Sequence, residues 1–151
     1  MAEKQISLGD LNSAQLQEVK RQLEEEIEHL STSFGSLRSA QAKYRSCAND
    51  VQEMKPSTKG KSMLVPLTSS LYVPGRITDP EHVVVDIGTG YYVKKTRQEA
   101  ISLYTSKVKF VQENLDKLQA TIERKQDNLQ SCVGILQMKM QEERQQGGVS
   151  A

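Results

Sequence analysis

LVPLTSSLYVPG (64–75) and VVVDIGTGYYVKKT (83–96) are the stretches on which the fold turns. Both are rich in β-branched and aromatic residues. The first is broken by Thr68-Ser69-Ser70 and the second by Gly88-Thr89-Gly90. Each therefore reads as two short strands around a tight turn, giving two β-hairpins over residues 62–95. Pro66 and Pro74 lack an amide donor and push their strands to edges or strand ends. Val83, Val85 and Ile87 alternate onto one face, while Val84 and Tyr92 place apolar surface on the other. Strands this short make a poor independent sheet. A sheet apolar on both faces with open edges needs a partner, so this module reads as an oligomerisation surface.

On both sides of it the period changes from two to seven. Over 13–55, Leu16, Leu23, Leu30, Leu37, Tyr44 and Val51 lie seven apart (positions d). Lys20, Ile27, Phe34, Gln41 and Ala48 form the companion a series. Over 97–144, Ile101, Val108, Leu115, Ile122, Leu129 and Leu136 are a, and Tyr104, Val111, Leu118, Lys125 and Cys132 are d. Such narrow stripes are coiled-coil seams. Asn12 with Gln15 and Thr96 with Glu99 predict capping boxes at the two helix starts, and Pro56 closes the first helix. Helices of roughly 60 and 70 Å with a single stripe cannot stand alone in water. They pair most simply with each other, antiparallel, about a connection centred near residue 76, so that facing positions carry numbers adding to roughly 152. The predicted fold is mainly α: a long antiparallel coiled-coil hairpin with two β-hairpins at the connection, all in one domain, 1–151. Lys20, Gln41 and Lys125 interrupt the seam, which fixes register at some cost in stability. Lys125 falls opposite Ile27, beside Glu24-Glu25-Glu26, and its ammonium is predicted to reach Glu24, Glu26 or Glu28. Cys47 and Cys132 lie too far apart on this alignment for a disulfide.

The composition agrees. Of 151 residues, 36% are hydrophobic and only 5% aromatic, with no Trp, and mean hydropathy is −0.57. That is a thin supply for a round core, whereas evenly spaced Leu, Ile and Val with a net charge of +1 argue against disorder. The start, MAEKQISLGD, has charges where a signal peptide needs an apolar run, no stretch is long enough to span a membrane, and two Cys fit a reducing compartment. Basic and acidic residues are balanced in every segment, so no stripe would neutralise phosphates and nucleic acid is excluded as a partner. Gly88-Thr89-Gly90 leads into a strand, not a helix, and is a hairpin turn rather than a phosphate cradle. His29 and His82 have no companions at metal-ligand spacing. Glu24-Glu25-Glu26 sits on a solvated helix face. No nucleophile lies near a base, so no catalytic, metal or cofactor residue is assigned.

At the ends of the helices the apolar residues leave the seam. Val133, Ile135, Met138 and Met140 on one side, with Leu8, Leu11 and Val19 on the other, meet at the distal tip of an antiparallel pair. Flexible Met and Leu on an open tip suit contact with partners of no fixed shape. The plainer alternative is that they thicken the packing where the coil frays. The tail 145–151 has no pattern and is expected to be disordered.

The order helix, two hairpins, helix, with LVPLTSSLYVPG and DIGTGYYVKKT (86–96) as strand motifs, resembles the alpha-class subunits of the prefoldin family. The resemblance runs from about Leu11 to Leu136. It departs at the termini and in the Ser-rich 31–36 stretch, which should weaken the helix locally. It implies a non-enzymatic subunit of a heterohexamer of two alpha-class and four beta-class subunits, whose hairpins join in a double β-barrel from which six coiled coils hang. Such a complex captures unfolded actin and tubulin without nucleotide and delivers them to the cytosolic chaperonin. The location implied is cytoplasmic, with room for a nuclear pool. Mapped onto this chain, client contact falls at the tips: Leu8, Leu11, Leu16, Val19, Val133, Ile135, Leu136, Met138 and Met140. Assembly falls to Leu64, Val65, Leu67, Leu71, Val73, Val83, Val85, Ile87, Tyr91 and Val93. The rival reading is a coiled-coil tether or scaffold subunit of another complex.

Overall fold

A computed structural model describes residues 8–147. After a 3₁₀ turn, Leu8–Asp10, comes helix α1, Ser13–Glu53. Strands β1 (Ser62–Pro66), β2 (Tyr72–Arg76), β3 (His82–Gly88) and β4 (Tyr91–Thr96) follow, and helix α2 runs Arg97–Gly147. The molecule is two long antiparallel helices with two β-hairpins between them. The chain divides into two units: a helical one, from the N-terminal residues to Leu37 and from Asn114 onward, and a mixed one, Arg38–Glu113.

The helix starts are built as the sequence predicts. The Asn12 N–H donates to Gln15 Oε1 (3.0 Å) and the Gln15 N–H returns to Asn12 Oδ1 (2.8 Å). At α2 the Thr96 N–H donates to Glu99 Oε2 (3.0 Å) and the Glu99 N–H to Thr96 Oγ1 (3.3 Å). Each box satisfies amides that have no intrahelical partner. The Thr96 amide on its carboxylate holds Glu99 below the ordinary carboxylate range. A depressed folded-state value means that the box stabilises above the unfolded value of about 4.3 and loses its contribution as pH falls through the folded one. Glu99→Ala should therefore lower the melting temperature at pH 7 and lower it less at pH 3, a contrast that thermal melts at the two pH values measure.

The helix ends depart slightly from expectation. α1 stops at Glu53 rather than at residue 55 because Pro56 biases Lys55 out of the helical region, to φ −95°, ψ 158°. α2 continues through 145–147, which were expected to belong to a disordered tail. Glu142, Glu143, Gln145 and Gln146 are good helix formers, which carries the helix into this stretch. Residues 148–151 lie outside the described part. α1 passes unbroken through the Ser-rich stretch, where the Thr32 and Ser33 hydroxyls donate to the Glu28 and His29 carbonyls, each at 3.0 Å.

The buried residues follow the heptads. Leu16, Leu115, Ile122, Cys132 and Leu136 form the interior of the helical unit, while Val111 and Gln41 serve the mixed unit together with Ala100 and Val85. Gln41, the polar seam residue, donates from Nε2 to Gln112 Oε1 (2.8 Å) and to the Val108 carbonyl (3.4 Å). A buried amide with these partners is specific to one alignment of the helices, because any slip strands it. The nearby Tyr44 and Tyr104 rings stand 6.4 Å apart, and burial raises the Tyr104 phenol above its usual value. In the helical unit the Lys125 ammonium meets Glu26 Oε2 at 2.5 Å, as the alignment predicts. Lys20 instead pairs along its own helix with Glu24, at 3.2 Å. Both cysteines are free. A half-exposed ion pair is worth about 0–1 kcal/mol, less than an apolar seam side chain contributes. Lys125→Met should therefore raise the thermal midpoint, and a lowered midpoint would contradict that ranking.

Candidate functional site

The hairpins carry one candidate surface. β1 pairs with β2 in the register Leu64↔Pro74 and Val65↔Val73, and β3 with β4 as Val85↔Val93 and Asp86↔Tyr92. The two hairpins remain separate two-stranded sheets. Between Asp86 and Gly88 the register shifts, leaving Ile87 as the extra residue of a bulge. The turn that follows needs positive φ, met by Thr89 (51°) and Gly90 (79°) in a primed turn whose twist suits a hairpin. Asp86 Oδ1 secures it by accepting the Gly88 N–H at 2.8 Å. At the base, Arg97 ties the hairpins to the helices: its N–H donates to the Glu81 carbonyl (2.9 Å) and its Nη1 to the Met54 carbonyl (3.0 Å).

Among the described residues, most of the apolar surface of these sheets is left uncovered. Leu64, Leu67, Leu71, Ile87 and Tyr91 are exposed, Tyr91 at 70%, and Val65, Val73 and Val93 are borderline exposed. Two residues of the expected assembly set sit differently. Val85 is only 2% exposed and belongs to the chain's own core, and Val83 is half-buried. The inner face of β3 is thus largely used within the chain. The opposite face is the open one, with Val84 (69%) and Tyr92 exposed; these, like the exposed Met63 and Tyr72 on the two faces of the first hairpin, are apolar residues that the expected set omits. Their signal was the alternation itself, which puts Val84 and Tyr92 outward once Val85 points inward. Ile87 also lines a cleft of about 440 Å³ with Tyr44, Cys47 and Tyr104.

The second candidate surface is the end of the helical unit, where α1 begins and α2 ends. Leu16, Cys132 and Leu136 form a buried cluster, and Leu8, Leu11, Val19 and Ile135 pack against it half-buried. Cys132 Sγ lies 3.5 Å from the Leu16 carbonyl. The structure thus brings six of the expected tip residues and Cys132 into one patch, and makes Leu16 and Leu136 its interior rather than its surface. Off-seam residues here pack around the seam as well as facing solvent. Val133 is half-buried, and Met138, at 63%, and Met140 are exposed. The 3₁₀ turn Leu8–Asp10 lies against this patch, held by Lys139, whose Nζ donates to the Gly9 carbonyl at 2.7 Å and the Leu11 carbonyl at 2.5 Å. Sequence periodicity did not single out Lys139, because its partners are backbone atoms.

Among the described residues no group of His, Cys, Asp or Glu is placed to hold a metal. His82 Nδ1 is engaged by Asp79 Oδ2 at 3.0 Å, and His29 is solvent-exposed. No described helix is long and apolar enough to cross a membrane.

Comparison with known proteins agrees with this geometry. The fold is similar to a chain of filamentous PFD from Methanocaldococcus jannaschii, with a TM-score of 0.69 at 22% identity over 78% of this chain and 97% of that one. Prefoldin subunit 5 of Homo sapiens is 39% identical over 137 residues, covering 91% of this chain and 89% of that protein. Probable prefoldin subunit 5 of Dictyostelium discoideum is 42% identical over 144 residues, covering 95% and 89%. A family model described as Prefoldin subunit matches residues 23–142. Helix order, paired hairpins and sequence identity across nearly the whole length converge: the chain belongs to the prefoldin family.

Proposed function

We propose that the chain works as the subunit-5-type, alpha-class member of a prefoldin heterohexamer, with a second alpha-class and four beta-class subunits as neighbours. Prefoldin subunits are non-enzymatic chaperone subunits, so the work is binding alone. The observation that carries the reading is the pair of separate two-stranded sheets with apolar residues on both faces, a surface unfinished in the isolated chain. Neighbouring hairpins would complete it. The apolar helix end then supplies one of several weak patches for exposed side chains of unfolded actin or tubulin, and avidity over six arms makes capture effective without ATP. Release needs only a competing binder, the cytosolic chaperonin, in the cytoplasm or in a nuclear pool.

Co-expression with candidate prefoldin subunits followed by native mass measurement tests the assembly: a hexamer is expected, and a stable monomer overturns it. Removing the helix ends, before Leu16 and after Leu129, should leave the hexamer intact and abolish suppression of client aggregation. A tether or scaffold would instead bind one folded partner saturably and leave aggregation untouched.

A further inference from the structure

We infer that the Leu8–Leu11 segment occupies this chain's own client groove, and that an unfolded polypeptide binds by displacing it, with Lys139 reading the client's backbone carbonyls. The inference rests on the capture reading above and gives it an atomic form.

Three observations converge. Leu8 opens the 3₁₀ turn and Leu11 directly follows it, and both pack on the Leu16–Cys132–Leu136 cluster. The apolar cluster is thus seen covered by a short peptide segment with two apolar anchors. Lys139 binds that segment only through main-chain oxygens, those of Gly9 and Leu11. Backbone carbonyls are common to every polypeptide and are unpaired in an unfolded one, so this contact selects for unfolded chains without selecting a sequence. The seated segment is also lightly held. It precedes α1, makes no strand or helix with the rest, and is fixed by two leucines and one ammonium, so a client held at the same time by several arms can displace it. The ligand class is an unfolded segment carrying large aliphatic side chains about three residues apart, with free carbonyls beside them.

Cys132, fully buried beneath this patch, reports its state. In the co-expressed complex, its labelling by a maleimide can be followed by peptide mass spectrometry. Leu8→Ser with Leu11→Ser should accelerate labelling at least about tenfold, because the apolar packing of two half-buried leucines over Cys132 is lost. Lys139→Met, which keeps the stem and removes the donor, should accelerate it several-fold. Adding guanidinium-unfolded actin should slow labelling of the double serine variant back toward the wild-type rate, and slow it less when Lys139→Met is also present. Labelling unchanged in both variants, with helicity retained, means the segment is no cover and overturns the inference. Accelerated labelling that actin does not slow, in a complex that still retains actin, places the client elsewhere and overturns it too. Failure of the wild-type complex to retain actin at all sinks the capture reading itself, a result read independently of the labelling rates.

Discussion

Replacing Val84 and Tyr92 by serine is expected to remove the chain from its complex while leaving its own melting temperature nearly unchanged. Both side chains are mostly exposed in the chain by itself, Val84 at 69%, so the fold has little to lose. Burial of a valine and a tyrosine against a neighbouring hairpin is worth about 2 kcal/mol each. Together they correspond to roughly a thousandfold in affinity. Native mass measurement should show loss of the hexamer, and a thermal melt of the isolated variant should overlay the parent. Val85→Asp on the same strand makes the opposite prediction. A carboxylate would replace a side chain buried within the chain, at a cost of several kcal/mol. That variant should melt early before assembly is even assayed. If Val84 and Tyr92 behave like Val85, or leave the hexamer intact, the outer face is not the joint.

Leu16→Ala should produce the largest local loss of stability in the helical unit. Leu16 is fully buried and touches the cluster on which Leu8, Leu11, Val19 and Ile135 also rest. Removing a buried leucine side chain costs about 2–5 kcal/mol, more where the neighbours cannot close the gap. Here it undercuts both sides of the cluster. Hydrogen exchange should show amides of the first turns of α1 and of α2 near Cys132 losing protection, while those in Arg38–Glu113 keep theirs, since the chain divides there into separate units. A uniform loss over both would mean that the helices melt as one cooperative body.

Much of this was legible from periodicity, because the signals that set the helices are local and repetitive. The heptads located nearly every buried residue, and the two capping boxes stand atom for atom as spelled by Asn12-x-x-Gln15 and Thr96-x-x-Glu99. The alignment that set Lys125 beside the acidic triplet found Glu26. What could not be read is whatever depends on one extra residue or on backbone atoms. The bulge at Ile87 comes from a turn that needs two positive-φ residues and a register shift, which no pattern of polarity encodes. Val85 and Val83 look alike in the string, yet only Val85 is buried. Lys139 looks like any surface lysine until its acceptors, two carbonyls more than a hundred residues away, are seen.

Each of the four strands has one edge without a ladder partner. In the proposed hexamer, neighbouring hairpins would consume those edges; in an orphan copy nothing does. An excess of this chain over its neighbours therefore offers pairing templates to any extended segment, its own copies included. The dosage of the subunit is thus a physical variable. Under the hexamer reading, a supply matched to that of its neighbours would keep an unfinished sheet from finishing itself on the wrong partner.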